Sequence, residues 1–217
     1  MKLSIISKES TKISLAVLLI LHLVGIVGLL SPYQELFLRA TGINLLLTAF
    51  FLFLHHKDWN RNFRIFSLLC LVVCFTLEVI GVATGDIFGE YFYGNPLGIK
   101  LLGVPLIIGV NWVMLIYVVG IIANKISGST LVKSLIGAAL LLLFDFVMEP
   151  IAMHYNFWIW EDGMIPTVNY LAWFTISFIF LLIFYKSKFQ KKNPLAIPVY
   201  LIQFAFFSII NLYFLFT

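Results

Sequence analysis

The chain reads as an all-α integral membrane protein, a bundle of about seven transmembrane helices with its N-terminus in the cytoplasm. Apolar residues fill 62% of 217 positions, charged ones only 11%, and the mean hydropathy is +1.04, which excludes a soluble globular domain. Runs long enough to cross a bilayer, roughly 20 apolar residues each, recur near 13–31, 36–55, 65–83, 104–123, 131–152, 167–185 and 195–216. Little chain is left over, so a single polytopic membrane domain is expected across residues 1–217. Basic residues mark alternate loops: Lys2, Lys8 and Lys12, then Lys57, Arg61 and Arg64, then Lys125 and Lys133, then Lys186, Lys188, Lys191 and Lys192. The opposite side carries Glu35, Asp86, Glu90, Glu161 and Asp162, with only Arg39 and Lys100 as cations. The positive-inside rule then places the N-terminus in the cytoplasm and the C-terminus outside. The net charge of +4 reports this topology and gives no reason to expect a nucleic acid partner.

The first run follows three lysines and resembles a signal peptide, but Ser31-Pro32-Tyr33 succeeds it in place of a small-residue cleavage site, which favours a retained helix. His22 stands alone in it. The second run ends at His55 and His56, which with Lys57 are expected to form a basic rim. The third carries Cys70 and Cys74 one turn apart, a spacing that suits packing and not a disulfide. Glu78 follows in the same run. The fourth and sixth runs open near Pro105 and Pro166, each placed to serve as a first-turn residue whose missing N–H costs nothing. The fifth holds the most unusual pattern in the chain: Asp145-Phe-Val-Met-Glu149-Pro150 inside an apolar helix.

An ionisable side chain at bilayer depth costs roughly 2.5–3.5 kcal/mol even on the lenient insertion scale, and it ordinarily faces a protein interior and acts there. The four-residue spacing puts Asp145 and Glu149 on one helix face. Counting from the cytoplasmic end at 1.5 Å per residue, Asp145 lies roughly 21 Å up and Glu78 roughly 20 Å up. Three carboxyls are therefore expected in one layer of the outer half of the membrane.

The segments after these two helices run in parallel order. Glu78 is followed by Tyr91-Phe-Tyr93, Gly103-Val-Pro105 and Asn111-Trp112; Glu149 is followed by Trp158-Ile-Trp160, Gly163 with Pro166, and Asn169 with Trp173. This order points to a parallel pseudo-repeat about an axis along the membrane normal. Aromatic residues at this depth form either an anchoring belt or the wall of a cavity beside the acids. His154, at the outer end of the fifth helix, is either an interfacial residue or part of the same site.

A carboxyl group in an apolar wall resists ionisation and can keep its proton near neutrality. Protonating the terminal alkene of an isoprenoid requires such an acid, and the tertiary cation that results can be stabilised by Trp and Tyr faces. No P-loop, dinucleotide fingerprint or Cys/His zinc spacing is present, so neither a cofactor nor a metal is expected.

The combination Gly103-Val-Pro105-(five residues)-Asn111-Trp112, Asp145-Phe-Val-Met-Glu149-Pro150, Trp158-Ile-Trp160 and Pro166-Thr-Val-Asn169-Tyr-Leu-Ala-Trp173 resembles the integral-membrane carotenoid hydratase family, of the γ-carotene and bisanhydrobacterioruberin hydratase type. The likeness spans roughly residues 75–175. The family pattern has Gly where this chain carries Met164 and Ala172, which bears on substrate fit. The resemblance implies addition of water to the terminal double bond of an acyclic carotenoid. It implies Asp145 or Glu149 as proton donor, Glu78 with Asn111 or Asn169 orienting water, and Trp112, Trp158, Trp160, Trp173, Tyr91, Tyr93 and His154 around substrate or water. It further implies placement in the cell (inner) membrane as a multi-pass protein, with a carotenoid, water and the lipid bilayer as partners and with other carotenoid enzymes or a second copy of the chain as candidates.

A more distant resemblance links the chain to the two-half membrane lycopene cyclases, which share the protonation step; Asn169 stands where an acidic residue is expected in the cyclase pattern. A proton-coupled transporter would also use intramembrane acids, but spread through the membrane thickness. Metal-dependent prenyl transfer would need a richer acidic cluster with basic partners, and Lys100 is the only cation nearby.

Overall fold

The computed structural model describes residues 8–217, and Lys2 lies outside the described residues. Seven helices follow in order: α1 (Lys8–Leu29), α2 (Gln34–Leu54), α3 (Arg61–Thr84), α4 (Ile107–Ala123), α5 (Thr130–His154), α6 (Thr167–Lys186) and α7 (Ala196–Phe216). Four short strands lie between them: β1 (Tyr91–Tyr93), β2 (Lys100–Leu101) and β3 (Val104–Pro105) between α3 and α4, and β4 (Trp158–Trp160) between α5 and α6. All helices except α4 are long and apolar enough to cross a membrane. The fold is an all-α bundle of membrane type.

α4 is the core of this bundle. A helix that is apolar on every side is stable only when other helices surround it. α4 packs against α2, α3, α5, α6 and α7, and every residue from Trp112 to Ile121 is buried. At 17 residues it spans roughly 26 Å. Enclosed by protein, it has no need to match the thickness of lipid. Close packing around it depends on small residues: a Cβ on Gly120 would come within 2.8 Å of the Phe184 ring of α6.

α3 and α5, the helices that carry the acids, both begin with a side-chain cap. Asn60 Oδ1 accepts from the Phe63 N–H at 2.9 Å, and Ser129 Oγ accepts from the Val132 N–H at 3.3 Å. α3 ends at Gly85, whose φ of 73° is the left-handed conformation that glycine adopts without a Cβ penalty. Pro150 stands inside α5 directly after Glu149. It has no N–H to return to the preceding turn.

The loops at the basic end are tied together. Asp58 Oδ2 accepts from the Gln190 N–H at 2.8 Å, and Asn60 Nδ2 donates to the Lys188 carbonyl at 2.9 Å. His55 and His56 lie at this end, as expected for the basic rim, but are buried in it. His56 Nδ1 meets the Tyr117 hydroxyl at 2.7 Å, its Nε2 lies 2.9 Å from the Asp58 carbonyl, and its ring stacks on Phe63. Aromatic packing and two hydrogen-bond partners outweigh the solvation that a rim position would offer. Cys70 and Cys74 are free and buried, with sulfurs 4.0 Å apart.

Both proline expectations change at the opposite end. Pro105 belongs to β3, where Lys100↔Pro105 and Leu101↔Val104 pair antiparallel, so α4 starts at Ile107 instead of 104. Pro166 is the N-cap of α6, with extended backbone (φ −68°, ψ 141°), one residue before the first turn. In each case the chain continues its turn for a residue or two before coiling.

β1 and β4 pair antiparallel in the register Tyr91↔Trp160, Phe92↔Ile159, Tyr93↔Trp158. This ribbon joins the two acid-bearing halves. Its end is closed by Gly94, whose N–H donates to the Phe157 carbonyl at 3.0 Å. A Cβ on Gly94 would lie 1.8 Å from the Asn156 carbonyl oxygen. Backbone cannot yield as a flexible side chain does, so Gly94→Ala is expected to cost about 3 kcal/mol, the upper range for overpacking. A drop in the melting temperature of the detergent-solubilised protein would register it.

Candidate acid-lined site

The ribbon positions the site. Residues alternate along a strand, so Tyr91 and Tyr93 project to the same face of β1 and Trp158 and Trp160 to the same face of β4. Their polar hydrogens reach the glutamates of the helices that lead into each strand. Glu78 Oε2 accepts from the Tyr91 hydroxyl at 2.5 Å and the Tyr93 hydroxyl at 2.8 Å, while its Oε1 accepts from Trp112 Nε1 at 2.9 Å. Glu149 Oε2 accepts from Trp158 Nε1 at 3.0 Å and Trp160 Nε1 at 3.1 Å, while its Oε1 accepts from Asn169 Nδ2 at 3.0 Å. Each glutamate thus has three donors, two from the following strand and one from the following helix.

The strand-borne donors of the two cages correspond, while the helix-borne donor is Trp112 in one and Asn169 in the other; the ribbon between them pairs about Phe92 and Ile159. The cages also differ one turn earlier. Asp145, four residues before Glu149, is fully buried, and its Oδ2 accepts from the same Asn169 nitrogen at 3.2 Å. The position four residues before Glu78 is Cys74. Only the second half has a pair of carboxyls. Asp145 Oδ1 is buried with no hydrogen-bond partner, whereas every carboxyl oxygen of Glu78 and Glu149 is engaged.

The phenols of Tyr91 and Tyr93 lie outside the helices. Burial, reinforced by the neighbouring Glu78, pushes both above the ordinary tyrosine range. They therefore remain protonated donors at any physiological pH.

Between the cages is a cavity of about 20 Å³, walled by Glu78, Glu149, Asn111, Asn169 and the aromatic residues of both halves. One water needs roughly 10–15 Å³ of such space and two to four polar partners. A second cavity of about 230 Å³ lies between α1, α2, α4, α5 and α7, and its walls are mostly apolar. The two share Ile108, Asn111, Met148 and Trp158 as walls. Asn111 stands at this junction and lines both spaces. Trp112 and Trp173 stack at 4.3 Å on the far side of the small cavity.

The structure brings together all the expected site residues except His154. That residue is exposed, and its ring packs against Phe214 of α7 at 3.9 Å between centroids. Asp145 joins the layer from behind, through Asn169, and is not among the cavity walls. The indoles of Trp112, Trp158 and Trp160 meet the acids through their N–H groups, a role that the sequence pattern did not separate from that of an aromatic wall. His22, Asn44 and Gln203 line the larger cavity; His22 was noted as alone in its run without a role, and Asn44 and Gln203 were not singled out. Each is a polar residue in an otherwise apolar helix stretch, and that was the available signal. Among the described residues, no three His, Cys, Asp or Glu side chains converge as a metal site would require.

The sequence pattern of the carotenoid biosynthesis protein family matches residues 35–217. The chain belongs to that family. The matched span includes both glutamate cages, α2 from its second residue, and the whole of α3 through α7. A bisanhydrobacterioruberin hydratase from Haloarcula japonica is 31% identical over 121 residues, 50% of this chain. The match spans 40% of that relative's length. No solved structure matches the chain.

Proposed function

We propose that this carotenoid biosynthesis protein hydrates the terminal double bond of an acyclic carotenoid. The observation that carries the reading is a water-sized cavity between two caged glutamates, sharing walls with an apolar cavity. At about 230 Å³ the larger space falls below the roughly 300–1,000 Å³ of pockets that bury a whole drug-sized ligand. It suits one end of a polyene, with the remainder in lipid. The name of the Haloarcula relative supports the same reaction class.

The asymmetry of the two halves supports one division of roles. Asp145 Oδ1 is the one carboxyl oxygen of the three acids with no hydrogen-bond partner, and the stored proton is placed there. Glu149, one helical turn on and held by the same Asn169, faces the cavity and delivers the proton to the terminal alkene carbon. The π electrons form the new C–H bond and leave a tertiary cation next to it, against the face of Trp158. Water held by Glu78 and Asn111 supplies the electron pair for the C–O bond, and its surplus proton passes to Glu78. Return of that proton through the water site restores the Asp145–Glu149 pair. The sum is one water added. With the basic end cytoplasmic, the reaction takes place in the outer half of the cell membrane.

Expression in a lycopene-accumulating bacterial host tests this directly. The expected product is a pigment heavier by one water. An isomer of unchanged mass would mean that an internal alkene captures the cation, and the assignment would become cyclisation.

A further inference from the structure

The larger cavity has a polar station of its own, away from the acids. His22 of α1, Asn44 of α2 and Gln203 of α7 all line it, and His22 and Gln203 are only 5% and 4% exposed. Helix rise puts His22 and Asn44 roughly 10–15 Å from the acid-side ends of α1 and α2, against roughly 6 Å for Asn111 in α4. The station is therefore deeper in the bundle. Asn44 Oδ1 and Gln203 Oε1 are buried with no hydrogen-bond partner. His22 Nδ1 lies 2.8 Å from the Leu18 carbonyl, which can only accept. The neutral ring therefore carries its hydrogen on Nδ1 and leaves Nε2 as an acceptor. Three polar side chains from three helices thus line one apolar space, and two of them carry an occluded oxygen that lacks the hydrogen bond a buried amide oxygen requires, which a turn of the amide would bring to the cavity.

We propose that His22, Asn44 and Gln203 form a subsite for the hydroxyl of a linear isoprenoid alcohol bound in the apolar cavity. A hydroxyl supplies the missing donor and, through its own oxygen, accepts from an amide N–H if that side chain turns. A hydrocarbon of the same shape leaves all three groups unpaired, so the subsite separates oxygenated from plain isoprenoids by the cost of stranded polar atoms. The inference rests on the reading of this cavity as the isoprenoid site, and it adds an oxygen function to the ligand at a distance from the reacting alkene.

The test is equilibrium binding to the full chain in detergent, using tritiated geranylgeraniol and the tritiated hydrocarbon of the same skeleton without the hydroxyl. The wild-type chain is expected to prefer the alcohol by about tenfold, the scale of one buried hydrogen bond. Gln203→Leu and Asn44→Leu should each bring the ratio toward about one. Their affinity for the hydrocarbon should be retained, which also reports that the bundle is intact. Equal affinity for the two ligands in the wild-type chain would assign these groups to buried water and overturn the subsite; so would a preference that survives in both variants. Binding does not depend on turnover. A chain that selects the alcohol and hydrates nothing would keep the subsite and lose only the proposed reaction.

Discussion

Glu149→Gln is expected to lower hydration by about 10²–10⁴-fold, the usual contribution of a positioned acid, while polyene binding stays nearly unchanged. The substitution keeps the shape and removes the proton. The carbonyl oxygen of Gln can still accept from Trp158 Nε1 and Trp160 Nε1, the donors now on Oε2. Its new N–H₂ would face the N–H₂ of Asn169, which now donates to Oε1. Asn169 can turn over and offer its own oxygen; this takes its N–H from Asp145 Oδ2, and a protonated Asp145 closes the cage again by donating to that oxygen. Asp145→Asn should also lower the rate, because it removes the proton store, but it leaves the group in the cavity wall intact. Product analysis in the pigment-accumulating host, normalised to membrane protein, measures both. Full activity in the two variants would sink acid catalysis by this pair.

Glu78→Ala is expected to be the most destabilising single change in the layer. It strands three buried donors at once: the hydroxyls of Tyr91 and Tyr93 and the indole N–H of Trp112. At roughly 1–3 kcal/mol for each unsatisfied group, the loss approaches the whole stability of a small domain, which is about 5–15 kcal/mol. Glu78→Gln is the informative control. Its oxygen can serve both tyrosines, but its N–H₂ then faces the indole N–H of Trp112, which has no acceptor to offer by turning. An intermediate melting temperature in detergent is the expected result, with a larger loss of activity than of stability. If Glu78→Ala melted with the wild-type protein, the caging role of Glu78 would be wrong.

These two variants also show how unequally the site was legible. The carboxyls were conspicuous as residues, since charges in apolar runs need no tertiary information to stand out. Their common depth followed from helix rise and loop charge alone. The correspondence of the halves was visible as an order of motifs, from aromatic-X-aromatic to Asn and Trp. What the order could not convey was which edge of each ring meets the acid. Trp158 and Trp160 turn their N–H groups to Glu149, and that depends on the antiparallel pairing of β1 with β4, two three-residue strands separated by more than sixty positions. Such short strands carry too few residues for a period-two signal to be read.

His154 and His56 show the same limit from the other side. Both are imidazoles near a helix end, one expected either at the interface or in the acid site and the other on a basic rim. The first is exposed beside Phe214 and the second is buried between Phe63 and Tyr117. Composition treats them alike, because local sequence does not encode which neighbouring helix covers a given end.

Hydropathy and charge by themselves determined that this chain is a bundle of apolar helices, that its loops alternate in charge, and that α3 and α5 carry acids at one level. Bilayer thickness and helix rise are fixed quantities, so a linear reading suffices for those properties. The tertiary structure alone decided that α4 is the buried axis and that Asn111 stands between a water-sized space and an apolar one. It also decided that Asn44 and Gln203 are left with unpaired oxygens in the wall of that apolar space. Cavities and unpaired atoms arise where several helices fail to fill or satisfy one another, and no single segment contains that information.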